Sequence, residues 1–198
     1  MTTLRLGLTG SIATGKSTVL EVFRRRGVPV FSADAAVHAL YDGGEAVAPL
    51  GELFPEVIHD GKVDRAALSA RLLADPGNLA RIEAIVHPLV RRRMRAFFAD
   101  AAAKNLPMAV ADVPLLFETG YDGDIDAVLV TAVDENTMRQ RALARPGMTV
   151  EKLDAILARQ MPQAEKKQRA GYVVDTGRPI RETETEVEAL IDKLSAGR

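Results

Sequence analysis

Short apolar runs alternate with longer stretches of helical periodicity along this 198-residue chain. Residues 4–9 (Leu-Arg-Leu-Gly-Leu-Thr) alternate as a strand does, and residues 17–26 place Val19, Leu20, Val22 and Phe23 at helical spacing. Further strand-like runs fall at 28–32, 108–113, 127–132 and 172–175. Each is short, rich in Val, Leu or Ala, and polar only near its ends, the pattern of strands covered on both faces. Helical stretches separate them, so the pattern predicts an α/β doubly wound fold: three layers, with a five-stranded parallel sheet and helices on both faces.

Two regions break the alternation. Residues 35–104 form one long excursion with no obvious strand, in which 63–73 and 78–104 read as helices. Asp64 is placed to cap the first, and Pro76 to sit in the first turn of the second. The second break, 136–169, carries Arg139, Arg141, Arg145 and Arg159, a Pro146-Gly147 turn, and Thr149 as the cap of a following helix. The tail, 179–194, reads as an amphipathic helix with Val187, Leu190, Ile191 and Leu194 facing inward. The expected organisation is a core of 1–34 and 105–198, a helical domain of 35–104, and a lid of 136–160 within the core.

Between the first strand and the first helix stands Gly10-Ser11-Ile12-Ala13-Thr14-Gly15-Lys16-Ser17, which fits G-x-x-x-x-G-K-[ST], the phosphate-binding loop. At a helix N-terminus, backbone N–H groups and the positive end of the helix dipole face an anion. Gly10 and Gly15 allow backbone angles and close approaches that a Cβ would block. Lys16 is expected to reach the β- and γ-phosphates of ATP, and the Ser17 hydroxyl to ligate Mg2+. The remaining loop residues, Ser11, Ala13, Thr14 and Thr18, complete the expected ATP contacts. The fold class is therefore expected to be that of the P-loop NTPases.

Composition narrows this little. With 26 Lys and Arg against 27 Asp and Glu, the net charge is −1 and nothing marks a general nucleic-acid binder. The absence of Cys excludes disulfides and thiolate metal sites. No apolar run approaches the ~20 residues of a membrane span, and the chain enters a strand without the n- and h-regions of a signal peptide. A cytoplasmic protein with small-molecule partners, no nucleic acid and no membrane, is the expectation.

In open α/β sheets, ligands bind beyond the carboxyl ends of the strands. Three carboxylates fall there. Asp34 suits a general base that accepts the proton of an attacking hydroxyl, or the N-cap of a helix beginning near Ala35. Asp112 suits a Walker-B-like hold on Mg2+, or a strand-end carboxylate facing solvent. Asp175 closes the run Tyr172-Val173-Val174. Arg141 and Arg145, four apart, fit a lid that neutralises a transferring phosphoryl group. Arg91-Arg92-Arg93 with Arg95 reads first as a solvated face. His87, before Pro88 in an apolar stretch, reads first as a core or capping residue, and His38 and His59 as incidental.

Together these residues resemble the dephospho-CoA kinases, P-loop kinases of the last step in coenzyme A synthesis. The resemblance runs from Leu4 to about Gly177. It is carried by Leu8-Thr9-Gly10 through Thr18, Gly27-Val28-Pro29-Val30, Ala33-Asp34, His87-Pro88, Val113-Pro114-Leu115-Leu116-Phe117-Glu118, the segment with Arg141, Arg145 and Thr149, Arg159-Gln160, and Tyr172 to Gly177. The Pro-Leu-Leu-Phe-Glu segment with Ala-Asp and His-Pro at these spacings is the specific part. The resemblance implies transfer of the ATP γ-phosphoryl group to the ribose 3′-hydroxyl of 3′-dephospho-CoA, with Mg2+. It implies Asp34 as base, Lys16 and Arg141 as charge-stabilising catalytic residues, and Arg145 and Asp175 on the ATP side. Thr9, Asp34, His87, Leu116 and Glu118 fall on the acceptor side, and 35–104 is the acceptor's domain. Ser11 and Ala13 replace glycines common in the family, and Thr176 and Gly171 replace its usual Asn and Asp. Another small-molecule P-loop kinase would share the loop and lid but not Val113–Glu118. A GTP-dependent switch would need an Asn-Lys-x-Asp segment, which the chain lacks. A binding-only regulator would have no need of Lys16, Ser17, Asp34 and Arg141 together.

Overall fold

The structure, a computed structural model, describes residues 2–196. In chain order its elements are β1 (Leu4–Gly10), α1 (Lys16–Arg25), β2 (Val30–Ser32), α2 (Ala33–Tyr41), α3 (Val47–Leu53), β3 (Ile58–His59), β4 (Lys62–Val63), α4 (Arg65–Ala74), α5 (Asn78–Ala103), β5 (Met108–Asp112), β6 (Ala127–Ala132), α6 (Glu135–Leu143), α7 (Val150–Ala158), α8 (Gln163–Arg169), β7 (Tyr172–Asp175) and α9 (Ile180–Ala196). The chain divides into two compact units, Met1–Phe31 with Phe97–Arg198, and Ser32–Ala96.

In the first unit the strands order as β2-β5-β1-β6-β7. β1 runs parallel to β5, Leu4 opposite Met108 and Leu8 opposite Asp112. It runs parallel to β6 on its other side, Leu6 opposite Ala127 and Gly10 opposite Thr131. β6 in turn is parallel to β7. Successive side chains of a strand point to opposite faces. Leu4, Leu6 and Leu8 therefore share one face, where they pack with Val19, Val22 and Phe23 of α1 and Val187, Ile191 and Leu194 of α9. The amphipathic spacing read in both helices is the consequence of that burial. Gly7 points to the other face, where a Cβ would stand 2.9 Å from Leu116 Cδ1. The segment that follows β5 thus lies directly against β1. The chain lays β2 and β5 on one side of β1, then crosses to lay β6 and β7 on the other, so the sheet's switch point is the carboxyl end of β1.

The second unit is helical, with Leu40, Leu50, Phe54, Val57, Leu68, Ile82, Val86, Val90 and Met94 buried. Three expectations are corrected here. The stretch 35–104 does contain strands: β3 and β4 pair antiparallel, Ile58 opposite Val63. Asp60 (φ 50°) and Gly61 (φ 71°) form the turn, and two positive-φ residues between short strands are what an Asp-Gly dipeptide favours. That dipeptide is the signal the pattern reading passed over. Pro76 lies outside α5, which begins at Asn78. Asp34 is not an N-cap: α2 begins two residues earlier than read, at Ala33, because Ala33, Ala36 and Leu40 supply its buried face. The cap is Ser32, whose Oγ accepts from Ala35 N at 3.2 Å. Asp64 does cap α4, its Oδ1 accepting from Ala66 N at 2.8 Å and Ala67 N at 3.1 Å.

Candidate active site

At the carboxyl end of β1 the backbone turns through the phosphate loop with almost no spare space. A Cβ on Gly10 would stand 2.2 Å from Thr131 Oγ1 and 2.6 Å from Thr14 Oγ1. Those two hydroxyls bond each other at 2.8 Å. Thr14 Oγ1 donates its proton to Ser11 O at 2.8 Å, so Thr131 is the donor of the pair. Ala13 (φ 61°) and Gly15 (φ 74°) are both left-handed, the backbone conformation from which anion nests are built. Thr176, just past β7, closes the loop from outside by donating from Oγ1 to Thr14 O at 2.8 Å. α1 begins at once, with no side-chain cap and no acid in its first turn. Its dipole and its uncompensated N–H groups are left for an anion.

Lys16 reaches back across this loop and pairs with Asp112, with side-chain exposures of only 20% and 11%. The register of β5 on β1 sets Asp112 level with Leu8, which brings its carboxylate under the loop. Ser17 is exposed in the first turn of α1. Among the described residues no group of three or more His, Cys, Asp or Glu side chains gathers as a metal cage. One hydroxyl and one carboxylate are nonetheless the hard oxygen donors that Mg2+ takes when it arrives with phosphates and keeps most of its water. The donor set fits such an ion.

The arginine-bearing segment is anchored to the loop. Ala142 and Leu153 are buried against Ala13, with Ile12, Met148 and Leu157 around them. Arg141 donates to Thr176 O at 3.0 Å, and Gln160 Oε1 accepts from Ile12 N at 3.1 Å. Asp134 caps α6, and the Thr137 hydroxyl and N–H hold its carboxyl below the usual aspartate range. Thr149 caps α7 as read. Arg139 is committed to Asp154, 3.0 Å away. Arg145 is exposed.

Thr9 is buried at the end of β1 and donates from Oγ1 to Pro114 O at 3.0 Å. Thr18 sits in the first turn of α1. Asp175 Oδ1 accepts from Gly177 N at 2.8 Å. Leu116 is wholly buried on the sheet, so its side chain offers packing and no exposed surface. Glu118 Oε1 accepts from Met161 N at 2.7 Å and lies 2.9 Å from Lys166 Nζ. Asp34 is exposed in the first turn of α2, and His87 lies within α5, both in the second unit. Arg92 and Arg93 there are engaged by Glu45, at 2.5 and 3.6 Å.

Thr131, Gln163 and Lys166 escaped the reading of the sequence. A Thr inside an apolar strand and a Lys inside Ala-Glu-Lys-Lys-Gln-Arg carry no pattern that sets them apart.

An anion cradle, a lysine held beside it and an arginine-bearing segment packed on the same loop thus meet at the switch point. The fold is that of a P-loop kinase, and the chain is an ATP-dependent phosphotransferase. The family model for dephospho-CoA kinase matches residues 4–182, and the chain belongs to that family, whose members phosphorylate dephospho-CoA in the last step of coenzyme A biosynthesis. It is 52% identical to the dephospho-CoA kinase of Rhodopseudomonas palustris strain BisB18, over 98% of each chain. The crystal structure of TT1252 from Thermus thermophilus is similar with a TM-score of 0.81 at 33% identity, covering 98% of this chain and 99% of that one. The dephospho-CoA kinase of Campylobacter jejuni shares the fold at a TM-score of 0.78 and 24% identity, over 98% of each chain.

Proposed function

We propose that this chain transfers the γ-phosphoryl group of ATP to the ribose 3′-hydroxyl of 3′-dephospho-CoA, giving CoA and ADP, with Mg2+, in the cytoplasm. The observation that carries the reading is the phosphate cradle of Gly10–Thr18 with Lys16, set in a chain that matches the family from residue 4 to 182. Asp34 takes the proton of the 3′-hydroxyl as that oxygen attacks the γ-phosphorus. The bond from the γ-phosphorus to the bridging oxygen breaks, and its electrons leave with ADP. Lys16, Arg141 and Arg145 hold charge on the phosphoryl oxygens as this happens, and serve better as preorganised donors than water would. Ser17 with Asp112, directly or through water, would hold Mg2+, which supplies further charge neutralisation at the phosphates. Asp175 lies toward the adenosine of ATP. Residues 35–104 bind the acceptor, with His87 and the Thr9 end of β1 on its side, and residues 136–160 serve as the lid.

The test is turnover of purified protein with ATP, Mg2+ and 3′-dephospho-CoA, with AMP, shikimate and gluconate as parallel acceptors. CoA and ADP formed with the first acceptor alone are expected. ADP formed only with another acceptor would discard the substrate while keeping the fold.

A further inference from the structure

Lys166 is a charged side chain with no exposed surface, on a helix whose neighbours Glu165, Lys167 and Gln168 are all exposed. Its Nζ lies 2.9 Å from Glu118 Oε1 as an ion pair without hydrogen-bond alignment, and the Glu118 side chain is only 16% exposed. The same oxygen accepts the N–H of Met161 at 2.7 Å. Glu118 comes from the segment that follows β5, the strand ending on Asp112. Met161 and Lys166 lie where the arginine-bearing segment returns to the sheet. Two glutamines of this return behave alike. Gln160 holds Ile12 N of the phosphate loop at 3.1 Å. Gln163 grips Val133 after β6, accepting from its N–H at 3.1 Å and donating to its carbonyl at 2.7 Å. Arg169 adds an ion pair to Asp122 at 2.9 Å and lies 4.5 Å over the Phe117 ring. Residues 160–169 are thus pinned to the segments that follow β1, β5 and β6, and Lys166 is the most deeply buried of the pins.

Stability does not explain a buried ion pair, because well-packed apolar residues of similar volume commonly do as well or better. What the pair supplies is a fixed place of approach between two opposite charges. An apolar helix face can slip by a fraction of a turn at little cost, whereas Nζ on a packed stem meets one carboxylate in one place. Phosphoryl transfer is sensitive to such slip, since charge-stabilising donors must be held to about 0.5 Å. We propose that Lys166 is a positioning residue for phosphoryl transfer: through Glu118 it fixes the root of segment 136–160 against the end of β5, so that Arg141 and Arg145 return to one arrangement about the γ-phosphate. This rests on the reading of 136–160 as a lid. It also gives Glu118 a role inside the protein in place of contact with the acceptor.

The test compares wild type with Lys166→Met, Glu118→Gln and the double variant, by thermal melting, steady-state kinetics and hydrogen exchange. Exchange is measured with Mg2+, a non-hydrolysable ATP analogue and dephospho-CoA. Each single variant strands a buried polar partner and is expected to melt below the double variant, which strands no bare charge. The double variant is expected to fold, to keep KM for ATP and dephospho-CoA within roughly threefold, and to lose about 10- to 100-fold in kcat, the scale of a small misplacement. Segment 136–160 is expected to slow its exchange on ligand binding in the wild type and to slow less in the double variant. A folded double variant with wild-type kcat and wild-type slowing overturns the proposal alone. Failure of the double variant to fold also overturns it, by making the pair structural. A wild type that shows no slowing overturns the lid reading on which it stands.

Discussion

Gly10 is where the phosphate loop is least tolerant, because the space a Cβ needs is taken by two bonded threonine hydroxyls. Gly10→Ala should destabilise by about 1–3 kcal/mol, the usual cost of overpacking, and should remove ATP binding, since Thr131 must leave Thr14. Denaturant unfolding and ATP titration check both. Ala13 shows the opposite economy. Its left-handed backbone costs on the order of 1 kcal/mol, and its methyl, buried with Ala142 and Leu153, returns roughly that much. Small residues therefore suffice where the family often has glycine. Asp34→Asn should leave ATP binding near normal and cut turnover by about 10²-fold or more, the scale of a general base. An unchanged rate would remove Asp34 from the mechanism. Residue identities in the loop were legible because the motif encodes a backbone path. Partners were not: nothing in a linear order shows that Lys16 meets Asp112, 96 positions away, or that one lysine of two adjacent ones is buried.

At the scale of elements, apolar runs located the strands and one-sided periodicity the helices, both least well at their ends. β6 falls on 127–132 as read, and α9 on the amphipathic tail. The start of α2, the place of Pro76 and the β3–β4 hairpin were not legible, because caps and turns are decided by single side chains that periodicity averages out. Capping has a measurable pH signature. The Thr137 hydroxyl and N–H hold the Asp134 carboxyl at α6 below the ordinary value of ~3.9, and the N–H groups of Ala67 and Ala66 do the same for Asp64 at α4. A depressed folded-state pKa stabilises above the unfolded value, and that contribution is lost as pH falls through the folded one. Stability should therefore decline on acidification below about pH 4, and Asp134→Asn should flatten that decline. Urea unfolding of wild type and variant across this acid range is the check. Equal slopes would mean that the cap does not titrate with folding.

For the whole molecule, the sheet is the rigid part and the arginine-bearing segment the part expected to respond to ligand. ATP with Mg2+ at a hundred times its Kd should stabilise the native state by about 2.7 kcal/mol through linkage alone, seen as a rise in melting temperature. Amides of β1, flanked by strands on both sides, should exchange slowest. A melting temperature unmoved by ATP would contradict the cradle. The linear order of residues was enough for the α/β class, the phosphate loop, most helices and the family, because each depends on contacts near in the chain or on local backbone geometry. It could not reveal the strand order, the Lys16–Asp112 and Lys166–Glu118 pairs, or the anchoring of residues 160–169 to three strand ends. Those depend on which distant segments are brought together when apolar faces are buried, and a charged residue becomes a partner or a solvated side chain only once that packing is complete.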